Sequence, residues 1–171
     1  MTITIILEGP LQAWGDHSKG TFRDTCLFPT KSGIVGMIGA AMGIPRGDER
    51  LKEINDAISI AVRADRAGTR MIDYHTVYVA AEDKTEETRR EYLQDACFLV
   101  AIEGAEEIID EIRESFMHPV WALYLGRKAC IPSRPILPEV YEGSCIEAVK
   151  NLPPCERADD KIFYEIESDD G

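Results

Sequence analysis

ACFLVAIEGAEEIIDEIRESF, residues 96–116, carries two different periodicities back to back. Ala96 to Ile102 is short, apolar throughout and rich in branched side chains, the pattern of a strand covered on both faces. From Ala105 to Phe116 the apolar positions are Ile108, Ile109, Ile112 and Phe116. They fall three or four apart, which places them on one stripe of an amphipathic helix. A buried strand followed by a helix then sets the question for the rest of the chain: how many such units are there, and in what order?

Upstream, TITIIL (Thr2–Leu7) reads as a first strand, closed by Gly9-Pro10. Leu11 to Phe28 has no clean period and reads as a long loop. In PTKSGIVGMIGAAMGIP (Pro29–Pro45), Ser32 is the expected cap of a helix over Gly33–Met42, with Gly43 as its stop. A short polar helix is expected over Glu49–Ala57. ISIAVRAD (Ile58–Asp65) alternates, with Ile58, Ile60 and Val62 on one face and Arg63 on the other. Arg66 to Arg70 reads as a turn or hairpin tip with exposed guanidiniums, and Met71–Ala80 returns as a strand. Glu82–Glu91 reads as a solvated, mobile charge run, and PVWALYL (Pro119–Leu125) as a last strand. The order β, α, β, β, α, β is that of an α+β, ferredoxin-like split βαβ fold with inserted pieces. It is also the order of the RNA-recognition module, which binds RNA on an open sheet face. Fold alone does not fix function.

At 171 residues the chain is expected to be one domain, and its 44% hydrophobic content is enough for a real core. No run of about 18 apolar residues occurs, so no membrane span is expected. The opening residues lack a basic region and break at Glu8, so a strand is expected there and not a signal peptide. Cys26, Cys97, Cys130, Cys145 and Cys155 are odd in number and include no C-x-x-C, so neither a disulfide framework nor a zinc site is expected. A reducing, cytoplasmic setting and small buried thiols fit them.

The formal net charge is -12, but it is unevenly spread. Residues 81–114 hold twelve acids against four bases, and residues 139–171 hold ten against three. Residues 115–138 hold no acid, and YLGRKACIPSRP (Tyr124–Pro135) concentrates Arg127, Lys128 and Arg134. Screening confines a distant charge to about 8–10 Å, so local charge decides which ligands are admitted. The start of the helix after Lys31, with its free N–H groups, is a second natural anion site. It is not a nucleotide-hydrolase phosphate loop, whose two required glycines are here Thr30 and Thr25. Gly33, Gly36 and Gly39 each cost a helix about 1 kcal/mol, and tight packing of the helix on the sheet accounts for them. His17, His75 and His118 show no metal-ligand spacing.

Six stretches, in order, carry a family resemblance: LEGPLQAWG (Leu7–Gly15), FPTKSGIVGMIGAAMGI (Phe28–Ile44), ISIAVRAD, DYHT (Asp73–Thr76), REYLQDACFLVAI (Arg90–Ile102) and YLGRKACIPSRP. Together they resemble the CasD family, the Cas-five-type subunits of type I-E CRISPR Cascade, within the RAMP superfamily. The resemblance implies a ferredoxin-like domain over 1–138 with a β-hairpin thumb, and a short acidic extension over 139–171, where the match fades. It implies a cytoplasmic subunit that holds the 5′ handle of the CRISPR RNA. Such a subunit contacts the backbone subunit CasC and the large subunit CasA, and meets target DNA only indirectly. No cofactor, metal or catalytic residue is implied.

Carried onto this chain, the resemblance makes Arg127, Lys128 and Arg134 phosphate contacts. Lys31 and Ser32 form a second contact, joined by Lys19 and Arg23. Trp14 either stacks a base or is buried under its own loop. Arg63, Arg66 and Arg70 lie on or beside the thumb. Tyr74 and His75 are RNA-contacting or structural. The alternative is a metal-independent endoribonuclease using His75, since a related type I-C protein is a nuclease of that sort.

Overall fold

The structure is a computed structural model that describes residues 1–15, 21–79 and 83–166, and the backbone alone of residues 18–19. Its elements are β1 (Thr2–Glu8), β2 (Leu11–Gln12), β3 (Ser18–Lys19), β4 (Phe22–Arg23), α1 (Lys31–Met42), α2 (Glu49–Ala57), β5 (Ile58–Arg66), β6 (Thr69–Val79), β7 (Lys84–Gln94), β8 (Cys97–Gly104), α3 (Glu106–Met117), β9 (Glu139–Tyr141), α4 (Cys145–Asn151) and β10 (Phe163–Ile166). The protein is mixed α+β with largely antiparallel sheets.

The main sheet has the order β10-β5-β8-β1-β9, with every pair antiparallel. β1 and β8 lie at its centre and are apolar along their length because both faces are covered. On one face Ile3, Ile5, Leu7, Phe98, Val100 and Ile102 join Ile34 and Ile38 of α1 and Ile109, Ile112 and Phe116 of α3 in the principal core. On the other face Ala61, Leu99 and Ala101 meet Cys145, Ala148 and Val149 of α4. The two alanines keep that face shallow enough for a helix to lie close. The sheet face expected to be open is therefore occupied. Residues 139–166, expected as an acidic extension, supply α4 and both edge strands of this sheet.

The second sheet is built on a long hairpin. β6 and β7 pair in unbroken register from Thr69↔Gln94 to Val79↔Lys84. β2, β4 and β3 add to it. The charge run Glu82–Glu91, expected as a mobile segment, is largely strand. Its polar side chains alternate outward while backbone hydrogen bonds hold the ladder, so composition alone resembles a solvated loop. Arg66 to Arg70, expected as a turn or hairpin tip, is a turn, between β5 and β6 at the hairpin's root. There a Cβ on Gly68 would stand 2.6 Å from the Gln94 carbonyl oxygen. The hairpin's far end spans residues 80–82, outside the described residues.

Two further expectations change. α1 begins at Lys31, and its cap is Thr30, whose hydroxyl accepts the Gly33 N–H at 3.2 Å. Ser32 sits in the first turn, its hydroxyl 3.3 Å from that of Thr30. Serine and threonine cap almost equally well, so composition did not separate them. Pro119–Leu125 is not a strand. Val120 N–H donates to Ala41 O at 2.8 Å and Trp121 N–H to Ala40 O at 3.1 Å. These donors are spent on carbonyls of the last turn of α1, and so are not available to a sheet ladder. The strand beside β1 is β9 instead.

Candidate nucleic-acid interface

A groove of about 580 Å³ opens between the front half of α1, the chain around Trp14 and the Tyr124–Arg127 segment. Its walls carry Arg23, Arg46 and Arg127, and among the described residues no carboxylate lines it. Thr30, Ser32 and Gly33, at the N-terminal end of α1, reach it, as do Gly36 and Ala40 further along the same helix. Small residues at these positions leave backbone close to the surface, where a ligand backbone can approach it.

Trp14 is part of the groove's support. It is 1% exposed, and its indole N–H donates to Gln12 Oε1 at 3.0 Å. Gln12 in turn donates to the carbonyls of Leu7 and Ala96. The Thr25 hydroxyl accepts the Trp14 backbone N–H at 2.8 Å. A Cβ on Gly33 would come within 3.0 Å of the indole ring, so that glycine lets α1 rest on Trp14. Of the two roles open to Trp14, base stacking and burial, the structure gives burial.

Gly39 also obeys the packing explanation, since its Cβ would meet Leu51 at 2.5 Å. Gly36 does not. It is exposed, and among the described residues a Cβ there has no neighbour within 4 Å beyond its own helix. Its presence is left without an intramolecular cause.

Arg127 is held as a strut. It donates through Nη1 to Glu91 O at 2.8 Å, and through Nη2 to Asp24 O at 2.8 Å and Arg23 O at 3.2 Å. Its guanidinium also lies 5.0 Å from the centre of the Tyr92 ring. Its partners are neutral carbonyls, so the positive charge is fixed beside the groove without being neutralised. Gly126 makes this approach possible: its φ is +91°, and a Cβ would fall 1.8 Å from Ala13 O. Lys128 is exposed on the same loop, while Arg134 lines two other hollows, with Pro135 and Leu137. YLGRKACIPSRP therefore does not present its three cations as one patch.

The remaining expected residues divide. Arg23 and Ser32 face the groove. Lys31 is half-buried at the start of α1. The Lys19 side chain and His17 lie outside the described residues. Arg63 is corrected: it is 2% exposed and therefore out of reach of RNA. Its guanidinium pairs with Asp65 at 2.6 Å and donates to the carbonyls of Val149, Leu152 and Pro153. It lies on a strand face that is buried by α4, not open to solvent. Arg66 is tied to Glu8 at 2.8 Å, which raises its pKa further, and to Asp95 O at 2.9 Å. Arg70 pairs with Glu91 at 3.2 Å.

Tyr74 and His75 are neighbours on β6 and so point to opposite faces. The Tyr74 hydroxyl is drawn to Glu87, which raises its pKa. His75 pairs with Asp73. The two side chains do not converge on one centre. Arg46, in the turn after α1, was missed by sequence reading because a single arginine in IPRGD carries no spacing signal. Gly36 did carry one: a helical glycine whose cost needs a cause.

Fold and groove define an α+β protein with an arginine-walled cleft at the front of a glycine-rich helix. The family is specific. The model of the family described as CRISPR-associated protein (Cas_Cas5) matches residues 2–169, and the chain belongs to that family. It is 37% identical over 158 residues to the CRISPR system Cascade subunit CasD of Escherichia coli (strain K12), covering 81% of this chain and 69% of that protein. Among solved structures it resembles a chain of a CRISPR RNA-guided surveillance complex, with TM-score 0.69 and 37% identity over 80% of this chain. A second, described as the crystal structure of a Cas protein, gives TM-score 0.71 and 35% identity over 88%. This chain spans 62% of the first of these and 70% of the second.

Proposed function

We propose that this chain is a non-catalytic subunit of a type I-E Cascade-like complex that holds the 5′ handle of the CRISPR RNA. The observation that carries the proposal is the groove: Arg23, Arg46 and Arg127 on its walls, with no carboxylate among the described residues of its lining. Phosphates supply affinity and position along such a surface, while sequence choice needs contacts to bases. Belonging to the family, and likeness to a chain of an RNA-guided complex, support RNA as the polyanion. The β6–β7 hairpin corresponds in this reading to the thumb. Backbone and large subunits of the CasC and CasA kind are its protein partners, and target DNA is met through the guide.

The strand order β5-β8-β1-β9, with α1 and α3 on one face, supports a ferredoxin-like βαββαβ core in which β9 is the last strand. The divergence of Tyr74 and His75 supports a binding role over cleavage. The soluble, cytoplasmic setting belongs to the same reading; among the described residues no helix is long and apolar enough to cross a membrane.

The experiment is a salt titration of handle binding by the chain and by Arg23→Ala/Arg46→Ala. For single-stranded nucleic acid the slope of log K against log salt changes by about 0.7 per phosphate contact. We expect weaker binding and a shallower slope in the double variant. An unchanged affinity and slope would remove the groove from the RNA path.

A further inference from the structure

Cys97 opens β8 and is fully buried. Cys155 lies on the strap between α4 and β10 and is partly exposed. The two sulfurs and a carboxylate oxygen of Asp65 all lie within 4.8 Å of one another. Such a trio invites a metal, but its surroundings oppose one. Asp65 already accepts from Arg63 Nε at 2.6 Å, Arg63 Nη2 at 3.3 Å and the Cys155 backbone N–H at 2.8 Å. Arg66 Nη1 points at Cys155 Sγ from 3.6 Å. Two guanidiniums beside three donors repel a divalent cation.

The same surroundings suit sulfur chemistry. We propose that Cys97 and Cys155 are a reversible disulfide pair, in which Cys155 meets the oxidant and Cys97 resolves it. The strap is already held in place without a cross-link. Arg63 binds the carbonyls of Leu152 and Pro153. Asp159 N–H donates to Asp65 O at 2.7 Å, and the Asp159 side chain accepts Ala67 N–H at 3.0 Å. The two sulfurs, within 4.8 Å of each other, must close to about 2 Å to form the bond. Cys155 carries the accessible sulfur of the pair, so an oxidant from solvent meets it first. Burial pushes the Cys97 thiol up to about 12, in keeping with a thiol that reacts only with its neighbour.

The oxidant is a small-molecule disulfide of the glutathione class. The Cys155 thiolate attacks one of its sulfurs, its S–S bond breaks, and one small thiol leaves. Cys155 now carries the other half as a mixed disulfide. Cys97 then gives up its proton and attacks Cys155 Sγ, expelling the second small thiol. The protein loses two protons and two electrons, and the oxidant gains them. The product ties the strap to β8 at the root of the β6–β7 hairpin.

The test treats the full chain with oxidised glutathione and maps it by mass spectrometry without reduction. The expected result is a linked peptide pair containing Cys97 and Cys155, with Cys26, Cys130 and Cys145 still thiols. The thermal midpoint should rise by roughly 5–15 °C and return on reduction. Cys155→Ser should abolish both signals. Cys97→Ser should leave a stable glutathione adduct on Cys155. A stable adduct on the intact chain with Cys97 still free would overturn the proposal, as would linkage through other cysteines or no reaction. Protection of both thiols by added zinc would overturn it in favour of a metal site. Should Cys97→Ser fail to fold, Cys155→Ser decides alone: persistence of the midpoint shift counts against the pair.

Discussion

Gly36→Ala should make the protein more stable and a worse RNA binder. α1 buries Ile34, Val35, Met37 and Ile38, while Gly36 faces the groove. A methyl at Gly36 meets no atom of a described residue within 4 Å outside the helix, so it brings no clash and little burial there. What remains is backbone entropy: alanine holds a helix better than glycine by about 0.5–1 kcal/mol. For a chain of this size that is a rise of about 1–4 °C in the thermal midpoint. The sign for binding is opposite. If an RNA backbone lies against the helix, the methyl keeps it off and affinity falls by about threefold to tenfold, ~0.7–1.4 kcal/mol. Calorimetry gives the first number, and fluorescence anisotropy with labelled handle RNA gives the second. A lower midpoint would show that the groove is not open at Gly36. A higher midpoint with unchanged affinity would show that no ligand approaches the helix there.

Arg63→Ala should cost about 3–5 kcal/mol in urea unfolding, since it strands Asp65 and three carbonyls, while the folded protein keeps its RNA affinity. Retained stability with lost RNA binding would restore Arg63 to the RNA path. Gly126→Ala should destabilise by about 2–4 kcal/mol, because the methyl would strike Ala13 backbone at 1.8 Å; a neutral result in the same assay would contradict the described loop. Stability should decline with pH above about 9. Unfolded thiols ionise there, while Cys97 stays protonated to about 12 and Cys145 to about 11, both held up first by burial. Serine at both positions should flatten that limb of the stability–pH curve. On the acid side, Glu147 is held below its ordinary pKa by Ser144, so its share of stability is present above the ordinary carboxylate range and lost as pH falls. Glu147→Gln should remove that dependence from an acid-unfolding titration.

The elements with a strong internal period were legible in the sequence. TITIIL, ISIAVRAD and the Ala96–Phe116 stretch fold as strand, strand, and strand with helix. Where the reading failed, the deciding partner lay far along the chain. PVWALYL has strand composition, but its amides meet the end of α1. The Lys84–Gln94 strand looks like a charge run because both of its faces are polar, and its pairing with β6 is invisible to local composition. Arg63 showed the sharpest failure. Alternation placed it opposite Ile60 and Val62 correctly, yet that face is roofed by α4, a helix 80 residues later whose landing site no local pattern announces. Trp14 was legible as a choice of two roles, and a buried Gln12 decided it.

Counting cations could not reveal which ones remain available. Arg63, Arg66 and Arg70 each sit against a carboxylate, and Arg50 is paired with Glu111. Arg23 and Arg46 form no ion pair with a described residue, and Arg127 is bound only to neutral carbonyls and a ring. Part of the chain's acidity is thus matched locally, and screening at physiological salt limits the reach of the rest to ~8 Å. The groove's three guanidiniums are different: their charge is balanced by solvent ions until something else replaces them. A strand of phosphates is the ligand that releases those ions, and the gain is entropic and salt-dependent. An overall charge of -12 is therefore compatible with a polyanion site. Among the described residues no carboxylate lines this groove, so acidic surface elsewhere on the chain does not bar a polyanion from it.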